Sequence, residues 1–143
     1  MTETAKLGLP LVQPSQAQKH VTVNEALARL DSLTQLSVVS RSVSMPPTDA
    51  VDGVCYLVPM GATAPWSGHV GEVAIRSNGG WIFVPMVEGW RLWVADEGQA
   101  LDWIDGELMS GVVARSVIGS TLALKVYEYD QALTNGARID GAH

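Results

Sequence analysis

The spacing of apolar positions changes twice along this chain, and each change marks a different element. From Leu7 to Pro14 the apolar residues Leu7, Leu9, Leu11 and Val12 show no helical period, and Pro10 and Pro14 punctuate them. Each proline pushes the residue before it toward extended geometry. Residues 1–20 are therefore predicted to be an extended arm. Four large apolar side chains on a proline-broken arm cannot bury themselves, so the arm should lie on a partner subunit or across its own domain. From Val23 the period becomes helical, with Val23, Ala26, Leu27, Leu30 and Leu33 at three- and four-residue spacing. Thr22 and Glu25 read as a capping box at the start of that helix. The prediction is a short amphipathic helix over 21–39, whose stripe packs on a sheet or on a copy of itself. Residues 40–50, rich in Ser and ending in Pro46-Pro47-Thr48-Asp49-Ala50, read as a linker.

After residue 50 the pattern shortens to strands divided by turn residues. Strands are predicted at 53–59, 71–76, 81–84, 89–94 and 100–104. Asn78-Gly79 and Asp105-Gly106 have the composition of tight hairpin turns. Residues 51–109 are thus predicted to form a small antiparallel β-meander rich in tryptophan. The stretch 121–129 reads as a later strand, and 110–143 as a C-terminal strand extension that leads to, or contacts, another domain or partner. The fold class is mainly β with one N-terminal helix.

Composition narrows what such a fold can do. The 143 residues hold 9 Lys+Arg and 15 Asp+Glu, a formal net charge of −6. That balance argues against nucleic-acid binding, which needs a basic face. It also argues against docking on an anionic membrane, and no apolar run approaches the ~20 residues of a membrane span. The first residues lack the basic and apolar regions of a secretory signal. Cys55 is the only cysteine, so there is neither an intrachain disulfide nor a cysteine-based metal site. Charged residues make up 17% of the chain, below the roughly 25% of globular proteins. A surface this poor in charge points to burial in an oligomer.

No nucleophile elbow, phosphate loop, dinucleotide fingerprint or zinc-protease motif is present. His69 has Ser67 nearby but no partner to orient it, and reads as a structural or ligand-contacting residue. The acid pairs Asp96-Glu97 and Asp102/Asp105 read as turn acids bonded to nearby amides rather than as a glycosidase pair. The tryptophans are the most informative side chains. Trp90 and Trp93, three apart, should face opposite sides of one strand. One subset of the tryptophans should fill the core, while another could serve a subunit contact or stack on sugar rings. Trp66, His69, Trp90 and Trp93 are the candidate ligand or interface residues. No catalytic residue, cofactor or metal site is predicted.

The run from Leu9 through Ser15-Gln16-Ala17-Gln18-Lys19-His20 to Leu27 resembles the opening of an uncharacterised domain family. That family occurs in prophage and gene-transfer-agent fibre and head-spike proteins of alphaproteobacteria. The segments Pro65-Trp66-Ser67-Gly68-His69-Val70-Gly71, Gly80 to Pro85 and Gly89 to Glu97 resemble its further signatures. The resemblance implies a non-enzymatic structural subunit of a phage-like particle, made in the bacterial cytoplasm and carried on the particle surface. It implies a homotrimer that anchors or connects a host-surface-binding fibre, with capsid, tail or fibre subunits as partners. Leu7, Leu9, Leu11, Val12, Val23, Leu27 and Leu30 are the expected assembly residues. The alternative function is a carbohydrate-binding module that takes host surface polysaccharide on exposed tryptophans. A wall-degrading enzyme is the third and weakest reading.

Overall fold

A computed structural model of the chain describes residues 2–14 and 19–110. The predicted C-terminal strand at 121–129 lies outside the described residues. The described chain is mainly β, with two sheets and a single helix. Its elements are α1 (Lys19–Leu33), β1 (Ser37–Val38), β2 (Cys55–Leu57), β3 (Glu72–Ser77), β4 (Gly80–Pro85), β5 (Arg91–Val94), β6 (Gln99–Ile104) and β7 (Glu107–Met109).

Five of the seven strands fall on predicted ones, but they do not form one meander. β2, β3 and β4 make a three-stranded antiparallel sheet, and β1, β5, β6 and β7 a four-stranded one in that order. β1 pairs parallel with β5, which joins a segment predicted as helix to a strand more than fifty residues later. The chain can do this because α1 ends at Leu33. Gln35 follows with φ of 51°, a left-handed conformation that stops the helix and redirects the backbone.

The segment after α1 is hydrogen-bonded on both sides. On one side, Trp93 and Ala95 amides donate to the Leu36 and Val38 carbonyls. On the other, the Val39 amide donates to the Cys55 carbonyl and the Leu57 amide to the Ser40 carbonyl. Residues 36–40 therefore join the two sheets edge to edge, and the sheets fold over one core. That core takes Leu36 and Val38 from the joining segment, Cys55, Leu57, Val73, Ile75 and Val84 from one sheet, and Leu92, Val94 and Leu101 from the other. Residues 40–50 are no free linker. Ser40 and Pro46 are buried, and the Thr63 amide donates to the Ser44 carbonyl.

The hairpin turns form as their composition requires. Asn78 and Gly79 have φ of 48° and 78°, and Asp105 and Gly106 have 51° and 79°. Paired positive φ values match the right-handed twist of the flanking strands. The second face of β2-β3-β4 carries its own cluster. Trp66 is 0% exposed and packs with Tyr56 and Trp81, its ring centroids 5.4 and 5.1 Å from theirs.

Leu92 is fully buried between the sheets. Leu92→Ala should destabilise the chain by about 2–5 kcal/mol. Met60→Ala, at a highly exposed position, should change stability by under about 0.5 kcal/mol. Urea denaturation measures both. Cys55 supplies an independent probe, because burial pushes its thiol pKa up, with Ser32 hydrogen bonding opposing, and it should react with thiol reagents only on unfolding.

Candidate functional site

The N-terminal arm and α1 form one unit, built around a buried carboxylate. The arm is not simply extended. Gly8 (φ 66°) turns it back on itself. The Thr4 amide then donates to the Leu9 carbonyl at 2.9 Å and the Leu11 amide to the Thr2 carbonyl at 2.9 Å. Asp31, buried on α1, accepts from the Thr4 hydroxyl at 2.7 Å and from the Lys6 and Leu7 amides at 2.9 and 2.6 Å. Seven residues earlier, Asn24 holds Val12 from both ends. Its Oδ1 accepts from the Val12 amide at 2.8 Å and its Nδ2 donates to the Val12 carbonyl at 2.9 Å. The arm thus runs antiparallel to α1, with Leu7 beside Asp31 and Val12 beside Asn24. Lys6 Nζ donates to the Thr34 and Gln35 carbonyls, which places a cation on the helix C-terminus.

Burial alone would raise the Asp31 pKa. The three donors and the nearby Lys6 charge outweigh it, and its carboxyl titrates below the ordinary value. Gly53 completes the seat of the arm. It has φ of 92°, and a Cβ there would lie 2.4 Å from the Ala5 Cβ. Arm, helix and the β3–β4 hairpin together border a cleft of about 600 Å³, lined by Leu11, Val12, His20, Asn24, Arg76 and Trp81 among others.

This arrangement overturns the predicted capping box. α1 spans Lys19–Leu33, so Thr22 lies inside it and Glu25 pairs instead with Arg29 one turn on, at 3.1 Å. It also turns the helix over. Successive residues step 100° round a helix, so Asn24, Ala28 and Asp31 share the inward face. Val23 and Leu30 lie roughly 100–120° away from it, and Ala26 about 160°. Leu30 is 58% exposed and Val23 42%, while Leu27, between the two faces, is half-buried. On the arm Leu7 is 47% exposed, and Leu9, Leu11 and Val12 are half-buried.

The structure separates the other candidate residues. Trp66 is wholly enclosed and offers no surface to a ligand or a neighbour, because Tyr56 and Trp81 pack against its indole. His69 stacks on Phe83 with centroids 3.6 Å apart and bonds Glu72 through Nδ1 at 2.7 Å. Trp90 packs half-buried against the main core, whereas Trp93 is 47% exposed on the outer face of β5. Asp102 is no turn acid. It sits within β6 and takes both ends of Arg91, at 2.8 and 3.2 Å. The key residues missed in the sequence are Asp31 and Asn24. The available signal was their seven-residue spacing, which places two polar groups on one helix face.

Among the described residues, no helix is long and apolar enough to cross a membrane, and no group of three or more His, Cys, Asp or Glu side chains is placed to hold a metal ion. The model of a family described as protein of unknown function, DUF2793, matches residues 23–108. That span runs from the second turn of α1 nearly to the end of β7. No curated protein matches the chain.

Asp31→Ala should destabilise the chain by about 2–4 kcal/mol, because it leaves buried donors unpaired. It should also release the arm to proteolysis. The carboxylate's lowered pKa gives the pH dependence its sign. Its contribution is complete above the unfolded-state value near pH 4 and is lost as pH falls through the lower folded-state value. Limited proteolysis of wild type and Asp31→Ala across pH 3–7 checks both points. Equal arm cleavage in the two proteins at pH 7 would refute the anchoring role.

Proposed function

We propose a structural rather than catalytic role for this chain, which belongs to the DUF2793 family of unknown function. It is a head-spike or tail-fibre subunit of a phage-like particle, and its N-terminal unit ties it to neighbouring chains. One observation carries this reading: α1 turns Val23, Ala26 and Leu30 of its apolar stripe away from its own core, while its last residue, Leu33, packs against it. Val23, Ala26 and Leu30 are exposed, as is Leu7 on the arm, while the polar residues Asn24 and Asp31 are turned inward. A helix in a self-sufficient domain buries its apolar stripe. A helix that exposes it is completed by another polypeptide.

The phage-like setting rests on the likeness of the Leu9–Leu27 run and the tryptophan segments to fibre and head-spike proteins. Three copies packed through α1 would bury the stripes together, as a homotrimeric fibre does. The low charge of the chain supports the same reading, because less of each surface then faces water. The arm's role changes in consequence. Its backbone is bonded within its own chain, so it contributes a fixed apolar edge beside α1 rather than a free docking strand.

The full chain should run in multi-angle light scattering at a multiple of 15.3 kDa, and three times that mass is expected. Val23→Asp combined with Leu30→Asp should return it to 15.3 kDa with an unchanged circular dichroism spectrum, since both side chains already face solvent in the single chain. In a bacterium that makes the particles, the tagged wild-type chain should sediment with them and the double variant should not. A wild-type monomer, or wild-type chain absent from particles, would overturn the reading.

A further inference from the structure

Residues 36–40 cover one edge of each sheet, which leaves β4 as the open edge of β2-β3-β4 among the described residues. The register fixes which of its backbone groups are free. Ser77 and Gly80 close a two-residue turn, so Gly80, Ile82 and Val84 aim their backbone groups at β3. Trp81 and Phe83 aim theirs away. On its other side β3 agrees, since Arg76 and Glu72 bond Val54 and Val58, the residues flanking β2. The amides and carbonyls of Trp81 and Phe83, two sets about 7 Å apart, have no partner among the described residues. Open edges are normally blunted by charge, a bulge or brevity. β4 is six residues long, runs without a bulge and has no charged side chain, and only Pro85 at its end lacks a donor.

The same strand borders the cleft beside the arm. Gly80, Trp81 and Ile82 line it together with Leu11, Val12 and His20. Two further polar groups there are unmatched. His20 Nδ1 is buried and has no hydrogen-bond partner among the described residues, and a buried polar atom of that kind calls for one. Of the carboxylates lining the cleft, Asp31 is bonded to the arm and Glu25 to Arg29, whereas Asp52 has no bonded partner among the described residues.

We propose that the cleft takes an extended peptide segment of another protein, which pairs with Trp81 and Phe83 as an added strand and carries a Lys or Arg toward Asp52. Amides and carbonyls that repeat every second residue are matched by another extended backbone. The peptide groups of that strand also supply the partner that His20 Nδ1 lacks. The residue across from Ile82 shares the face of Ile82, beside Leu11 and Val12, and is apolar. The unmatched Asp52 and the chain's net charge of −6 favour a basic segment. A second copy of the chain is the poorer occupant. Its own β4 is bordered by its own arm and α1, and its β7 turns outward the backbone groups of Leu108 alone, because Glu107 and Met109 bond β6. None of Val23, Ala26 and Leu30 lines the cleft, so the proposal stands apart from the assembly reading.

The probe is a set of heptapeptides selected on the full chain from a random displayed library, then synthesised and titrated by fluorescence anisotropy. Selected peptides should carry a basic residue and an apolar one, and N-methylation of alternate backbone amides should weaken binding about tenfold or more. Phe83→Pro removes an outward N–H at a position where an edge strand tolerates proline, and should weaken binding as much. Phe83→Ala should retain it, and Asp52→Asn should weaken it severalfold. Val23→Asp with Leu30→Asp should bind as wild type does, so a failed assembly reading leaves this result readable. Hydrogen exchange by NMR gives a measurement free of mutation. The Trp81 and Phe83 amides should exchange freely in the chain alone and become protected with peptide, while Ile82 and Val84 are protected in both. Protection of Trp81 and Phe83 without peptide, failure to select a binder, or binding indifferent to N-methylation, to Phe83→Pro or to Asp52→Asn would each overturn the proposal.

Discussion

The buried carboxylate of Asp31 sets the orientation of everything N-terminal to the sheets. A carboxylate taken out of water must be matched by donors, or it is expelled. Asp31 meets that demand with the Thr4 hydroxyl and two arm amides, and Asn24 repeats the arrangement two turns earlier on the same face. Once those two residues face inward, helical geometry leaves Val23, Ala26 and Leu30 pointing out. The exposed apolar stripe is therefore a consequence of polar anchoring. A helix that served only to cover a sheet would be oriented by its leucines, and this one is oriented by an aspartate and an asparagine.

A second constraint acts where α1 ends. Residues 36–40 are short, yet their backbone is bonded to β5 on one side and to β2 on the other. An unpaired strand edge is a liability, and this segment removes one edge from each sheet at once. It also places Leu36 and Val38 in the core both sheets share. Trp103 crosses the same space from β6, its ring 3.5 Å from where a Cβ on Gly71 would lie. The helix and the sheets are thus coupled through a few residues of backbone, and the core forms only if α1 stops at Leu33.

These features explain which parts of the fold were legible in the sequence. The hairpins were, because Asn78-Gly79 and Asp105-Gly106 encode positive φ locally between short runs rich in apolar residues. The helix was, from its three- and four-residue spacing. Its boundaries were not. Thr22 and Glu25 have the right types for a capping box but sit inside the helix, and Val38-Val39 prolong the apolar run while belonging to a strand whose partner, Trp93-Val94, is far along the chain. Parallel pairing at that separation leaves no local trace. The seven-residue polar pair Asn24 and Asp31 was visible, but its meaning depends on the arm that folds back to meet it. Of the tryptophans, Trp90 and Trp93 do face opposite sides. Trp66 shows the limit of aromatic counting, since only a closed loop over the β2-β3-β4 sheet tells a core indole from a platform.

The two exposed surfaces differ in how they arise. On α1 the exposed side chains are aliphatic because Asn24 and Asp31 are turned inward and bonded to the arm. On β5 Trp93 is exposed because strand alternation sends Leu92 and Val94 into the core, and its register partners Ser37 and Ala100 are too short to cover it. The first exposure follows from polar anchoring and the second from sheet register. Replacing Asp31 would therefore free the helix to turn, whereas the side Trp93 faces is fixed by backbone pairing that no side-chain change on α1 touches.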